Sequence, residues 1–175
     1  PSPVTRRGFL QVTTGAGAKS DVRYQYVRSQ PVDERDPLAA RHQREIDLTK
    51  PVLFETFGEY TKDAGYARLE NGKLTDIVRD AAAYGTPARA ANADKYLFTR
   101  QTYAEFPDLR VSGPNLADSK KITDANPQQA EYKWVAKRVL IDYKDKDGHR
   151  LQGFMSLPED WQPGMKLPML VSFYE

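Results

Sequence analysis

Short apolar runs separated by polar turns recur along almost the whole chain, and their period is that of strands. They fall at 8–13, 22–27, 44–48, 51–57, 65–70, 74–78, 95–103, 109–113 and 120–124, and then at 139–144, 150–157 and 169–174. β-Branched and aromatic residues dominate them, as in "VRYQYV" and "YLFTRQTY", which suits a pleated, half-buried surface. Turn formers stand between the runs: Asn71-Gly72, Gly113-Pro114-Asn115, Asn126-Pro127 and Asp147-Gly148. Helix is hinted at only over 33–46, where Pro37 limits it, and over 75–85. The pattern predicts a mainly β chain.

Spacing refines this. Two runs share a Leu-Phe pair, Leu53-Phe54 and Leu97-Phe98, at an interval of 44 residues. A four-stranded propeller blade takes about 40–50 residues, and no helix long enough for a β-α-β crossover precedes residue 135. A β-sandwich gives a similar rhythm, so the interval is what tips the reading toward a propeller.

Past Trp134 the character changes. "VLIDYK" and "RLQGFMSL" form a long hairpin around Asp147-Gly148, and the connection "PEDWQPGMKLP" leads to a nearly continuous apolar run, Met169, Leu170, Val171 and Phe173. Such a run suits an interior strand of a mostly parallel sheet. A hairpin feeding a buried strand is a common start of an α/β-hydrolase sheet. The expected organisation is therefore the C-terminal blades of a β-propeller over 1–135, followed by the first strands of an α/β-hydrolase domain over 136–175. Both ends, at Pro1 and after the 169–174 run, read as those of a segment of a longer protein.

Composition narrows the partners. Lys and Arg number 26 against 24 Asp and Glu, and acids sit among the densest basic spots, 41–44 and 144–150, so nucleic acid is not expected as a partner. No apolar stretch approaches the ~18 residues of a membrane span, and no membrane partner is expected. The absence of cysteine removes disulfides, thiolate catalysis and cysteine-ligated metal from this segment. "TRRGFLQ" (Thr5 to Gln11) looks like a twin-arginine export signal, but "VTTGAGA" is mostly Thr, Gly and Ala before Lys19 and Asp21 interrupt it, short of an export core. A strand over 8–13 with a Gly-rich turn at Gly15 and Gly17 is the simpler reading.

One stretch carries a family pattern. Asp147, Gly148, Leu151 and Gly153, then Pro158, Pro163-Gly164, Pro168 and Tyr174, reproduce a D-G-x-x-L-x-G hairpin, a P-G-x-x-x-P linker and an apolar strand ending in Tyr. This resembles the propeller-to-hydrolase junction of the prolyl oligopeptidase family of serine peptidases, nearest its dipeptidyl and acylaminoacyl peptidase branches. Upstream, "ADKYLFTRQTYAEFPDLRVSG" and "KKITDANPQQAEYKW" are similar to that family's last propeller blade. The resemblance is good over 91–175, fainter over 44–90 and weakest over 1–43.

The resemblance implies a parent enzyme that hydrolyses oligopeptides with a Ser-Asp-His triad carried outside this chain, since no G-x-S-x-G occurs among the 175 residues. The fragment alone is expected to be inactive. His42 and His149 read as solvent-exposed. By resemblance, Tyr174 is the one catalytic candidate, a hydroxyl donor to the oxyanion of the tetrahedral intermediate, although Glu175 follows it where relatives have a Gly-rich turn. Expected partners are a peptide substrate and the rest of its own hydrolase domain, with homo-oligomerisation left open. No cofactor and no metal are expected: "YKDKDGH" (143–149) has the look of a calcium loop, but Tyr143 and Phe154 occupy what would be ligand positions, which leaves a tight turn. The resemblance favours a periplasmic or extracytoplasmic setting. Alternative functions are a non-catalytic binding propeller and an esterase or acyl hydrolase on the same fold.

Overall fold

The computed structural model describes residues 13–28, 46–132 and 137–173. The chain is mainly β, and its described residues form three antiparallel sheets and little helix. It divides into two compact units, Pro1–Asn126 and Pro127–Glu175.

The first sheet is a meander, β1 (Val22–Val27), β2 (Val52–Gly58), β3 (Ala64–Glu70) and β4 (Lys73–Asp80), with every neighbouring pair antiparallel. Asn71 and Gly72 close the β3–β4 hairpin with φ of 51° and 73°, the left-handed pair that a two-residue turn needs to match the strand twist. The 75–85 stretch, with its hint of helix, is thus strand as far as Asp80: Thr75, Ile77 and Val78 are β-branched, and the Asn-Gly turn returns them along β3. Ahead of β1 lies a five-residue helix, α1 (Ala16–Ser20), entered through Gly15 at φ 75°; the Gly-rich segment forms this helix rather than a plain turn.

The second sheet places β7 (Tyr96–Gln101) beside β8 (Asp108–Ser112), with β9 (Lys120–Lys121) beyond it; the two-residue strands β5 (Ala83–Tyr84) and β6 (Ala88–Arg89) both pair with the other side of β7. The two sheets pack face to face. Val27, Leu53 and Tyr66 from the first meet Phe98 of β7 and Leu116 in one buried cluster. On the far side of the first sheet, Val52, Phe54, Ala67 and Leu69 form a second cluster. Phe98 therefore points back toward the first sheet, and Phe54 points in the same sense, away from the second; Leu53 and the 39%-exposed Leu97 point the other way. The repeated Leu-Phe pair repeats a facing direction as well as a spelling.

In the second unit, β10 (Lys137–Lys144) and β11 (Arg150–Leu157) pair over their full lengths. The connection is the five residues 145–149, with only Gly148 in the left-handed region, at φ 86°. The described chain beyond it is not strand. Met169, Leu170, Val171 and Phe173, expected as an interior strand, are 66–97% exposed and unpaired. An interior strand exists only where neighbours take up its backbone N–H and C=O groups, and none of the described strands lies alongside.

Two further expectations are corrected or fall outside. The 44–48 run is not a strand over its described part: the Asp47 carboxylate accepts from Thr49 N at 3.0 Å and Thr49 Oγ1 at 2.6 Å, a local turn that diverts the backbone from any ladder. The predicted strand at 8–13 and the helix at 33–46 lie, apart from Thr13 and Ile46, outside the described residues.

Candidate functional site

The site with the most open chemistry is a cavity of about 210 Å³ in the first unit, on the face of the first sheet that looks toward the second. Register places its walls. Arg23 of β1 stands opposite Phe57 of β2, and Gln25 opposite Glu55, so all four side chains share one face, continuing the row that begins with buried Val27 and Leu53. Where the row leaves the core, polar residues replace apolar ones. Arg23 and Glu55 are diagonal neighbours, whose α-carbons stand about 7–8 Å apart in antiparallel pairs.

The far wall comes from the segment at β5. The Tyr66 hydroxyl donates to Gly85 O at 2.6 Å, Thr86 Oγ1 donates to Glu55 Oε1 at 2.6 Å, and Gly85 N donates to Thr99 O at 2.9 Å. These three bonds fix 84–86 to β2, β3 and β7. Tyr84 lines the cavity, its ring 5.2 Å from that of Tyr66 in an edge-on arrangement. Burial pushes the phenol of Tyr66 well above its ordinary value, with the charge of Glu55 adding to the effect. Burial also raises Tyr84. Both therefore stay neutral hydroxyls at any physiological pH.

Behind Tyr84 lies a chain of charges. Its hydroxyl donates to Asp80 Oδ1 at 3.1 Å and accepts from Arg100 Nε at 3.3 Å; Arg100 also pairs with Asp80 at 3.0 Å and with Glu105, which in turn holds Arg110 at 2.8 Å. The charges of this network balance, while the buried Nε of Arg110 has no partner among the described residues. In the cavity lining the Gln25 amide and the second oxygen of Glu55 have no partner among the described residues; the Thr56 hydroxyl, on the opposite face of β2, is buried and has none either. Arg23 reaches Glu59 only at 3.7 Å, in an exposed and solvent-screened pair, and lies 5.2 Å from the Phe57 ring centre.

A second polar cluster occupies the hairpin loop of the other unit. Asp145, Asp147 and His149 bring one ligand-type atom each within 4.8 Å of the others. The Asp145 carboxylate is already engaged, accepting from Asp147 N at 2.9 Å and His149 N at 2.8 Å through Oδ1 and meeting His149 Nδ1 at 2.8 Å through Oδ2. The His149 hydrogen bond is the main reason its pKa lies below the usual carboxylate range. The loop thus builds the tight turn expected of "KDKDGH", closed by Asp145.

Of the residues singled out from sequence, Asp147, Gly148, Leu151 and Gly153 lie together on the β10–β11 hairpin, and His149 is exposed in its loop. Tyr174 and His42 lie outside the described residues. Phe106, just before β8, and Leu109, within it, are each more than a third exposed. The cavity residues Arg23, Gln25, Glu55, Phe57 and Tyr84 were not anticipated. A signal existed: Arg23, Gln25 and Glu55 occupy positions that the strand alternation assigns to the same face as Val27 and Leu53.

Comparison with known proteins bears on the fold. No family model matches the chain, and no curated protein does. Among solved structures, the AtxE2 isopeptidase, as its S527A variant with Astexin3-dC4 bound, is similar at a TM-score of 0.55 and 14% identity. The likeness covers 85% of this chain and 26% of that one, so the chain spans about a quarter of the isopeptidase's length.

Proposed function

We propose that this chain is a segment of a peptide hydrolase, specifically a serine peptidase of the prolyl oligopeptidase type, in which the first unit belongs to a β-propeller that screens peptides by size. The observation that carries the reading is the backbone likeness to an isopeptidase over 85% of the chain. Two independent features support it: the D-G-x-x-L-x-G residues fall on one antiparallel hairpin, and Phe54 and Phe98 face the same way in stacked sheets, as equivalent residues of successive blades would. The domain division is proposed near 135, with the hairpin opening the hydrolase domain. On this reading the Ser-Asp-His triad is supplied outside these residues and Tyr174 donates its hydroxyl to the oxyanion.

The test uses the full-length protein that carries this chain, given peptide and ester substrates of matched acyl group and a serine-directed phosphonate. The reading expects phosphonate labelling, peptide cleavage, and a loss of roughly 10²- to 10³-fold in kcat for Tyr174→Phe, the usual cost of one oxyanion donor. Ester cleavage without peptide cleavage makes it an acyl hydrolase. No labelling and no turnover make it a binding propeller.

A further inference from the structure

We infer that Asn71 is a modification site, at which the chain converts asparagine to aspartyl and isoaspartyl linkages whenever the β3–β4 hairpin opens. The chemistry needs only water. The Gly72 backbone nitrogen attacks Asn71 Cγ, the new C–N bond closes a cyclic imide, and the side-chain nitrogen leaves as ammonia with the proton that Gly72 gives up. Water then opens the ring. Breaking the bond from nitrogen to Cγ leaves an aspartate; breaking the bond to the backbone carbonyl leaves an isoaspartate, with the chain rerouted through the side chain. The sequence holds four asparagines, and their surroundings separate them. Asn126 precedes Pro127, which has no N–H to give up. The Asn115 side chain is held at both ends, Nδ2 donating to Asp118 Oδ2 at 2.6 Å and Oδ1 accepting from Ala117 N at 3.3 Å. Asn92 is followed by alanine, whose methyl group crowds the attacking nitrogen, whereas Asn71 is followed by glycine. Asn71 and Gly72 are both exposed, and neither the side-chain amide nor the Gly72 N–H has a partner among the described residues.

The closed turn withholds the reaction. A non-glycine residue at φ 51° lies in the left-handed region, where ψ is about +30–60°. There the Gly72 nitrogen stands across the Cα–C bond from Cβ, out of reach of Cγ. Ring closure therefore requires rotation about that bond, which parts Glu70 from Lys73, its partner at the end of the ladder. Local opening starts where few contacts hold a segment, and β4 is an edge strand that pairs only with β3 among the described strands. The two products differ in consequence. An aspartate keeps the hairpin, because Asp-Gly suits the same two-residue turn as Asn-Gly. An isoaspartate adds a backbone atom to that turn, so Glu70↔Lys73 and Leu69↔Leu74 no longer meet in register and Leu74 is drawn away from the second cluster. The hairpin thus gates its own ageing, and one of the two outcomes holds it open. None of this depends on peptide hydrolysis.

The test is incubation of the 175-residue chain at neutral pH, native and urea-unfolded, followed by peptide mapping with mass spectrometry and by labelling with an isoaspartyl methyltransferase. Product is expected at Asn71 ahead of Asn92, and more slowly in the native chain than in the unfolded one. Leu74→Ala, which loosens the start of β4, should raise the native rate several-fold; urea below the unfolding transition should raise the wild-type rate in the same direction without any substitution. Asn71→Asp should keep the wild-type unfolding midpoint, while the purified isoaspartyl form unfolds at lower denaturant. Product appearing first at Asn92, or none at Asn71 in the native chain long after the unfolded chain has reacted to completion, overturns the site. A native rate equal to the unfolded one, or unmoved by sub-denaturing urea, overturns the gating by the hairpin. None of these outcomes touches the hydrolase reading, which is decided by turnover in the full-length protein.

Discussion

The β2–β3 and β10–β11 pairs are antiparallel ladders of similar length, seven and eight residues a strand, and they have opposite fates. In β2–β3 both faces are covered: Leu53 and Tyr66 by the second sheet, Phe54 and Ala67 by the far cluster, and Tyr66 is 0% exposed. In β10–β11 only Leu157 is buried, while Ile141, Tyr143, Leu151 and Phe154 are 37–52% exposed. Strand formation needs only a partner and a turn; stability needs apolar area removed from water, at roughly 25 cal/mol per Å². A hairpin can be fully hydrogen-bonded and still contribute little core. The two units nevertheless use the same device, one aspartate that gathers nearby donors: Asp108 at the start of β8, Asp145 in the β10–β11 loop.

The largest test of this contrast is a pair of truncations. Phe98→Ala removes a 3%-exposed ring packed edge-on against Tyr66 at 5.4 Å, and is expected to cost about 3–5 kcal/mol in chemical denaturation. Phe154→Ala removes a 52%-exposed ring stacked under Arg138 at 4.5 Å and is expected to cost about 1 kcal/mol or less. Equal costs would break the comparison.

Glycines sharpen it next. A Cβ at Gly65 would fall 1.8 Å from the carbonyl oxygen of Val78, where β3 and β4 approach closely beside the register shift at Tyr66/Ala67. Gly65→Ala therefore forces β4 outward, at an expected 1–3 kcal/mol in the range of about 1–3 seen for overpacking. At Gly153 the nearest atom is 3.9 Å away, on the Tyr143 ring, and Gly153→Ala is expected to leave the unfolding midpoint close to that of the wild type.

The aspartates give a smaller, pH-dependent effect. Asp108 is held at about 2, first by the hydrogen bond from Lys121 and then by Thr123, against an ordinary 3.8. A depressed acid contributes fully above its unfolded value and loses that contribution as pH falls through the folded one. The unfolding temperature of the first unit should thus drop as pH falls from about 4 to about 2. Asp108→Asn, less stable at pH 7, should change less over that window, and parallel curves for the two proteins would refute the assignment.

The smallest effect changes no stability. Amides of 169–173 should exchange with deuterium at near-intrinsic rates in this chain, while those of β2 and β3 are protected. If the run is the interior strand of a hydrolase sheet, protection appears there in the full-length protein; exchange that stays fast would remove it from that sheet.

Strand positions and hairpin turns were legible in the residues. β1 spans 22–27 as its alternation predicts, Asn71-Gly72 turns the chain where it must, and the 139–144 and 150–157 runs pair. These are local facts, set by side-chain shape and by which residues tolerate positive φ. The 44–48 run failed for an equally local reason, the Asp47 turn. Burial and chemistry were not legible in the same way. Met169 to Phe173 have the composition of a core strand and no strand beside them, because a ladder requires a second segment that its own sequence does not specify. The cavity joins Arg23 and Gln25 to Glu55 and Phe57, some thirty residues on, and to Tyr84 beyond them. Alternation along each strand chose which side chains share a face; only the packing of one sheet on the other decided that this face stays partly open, leaving Arg23, Gln25 and Glu55 around a cavity of about 210 Å³.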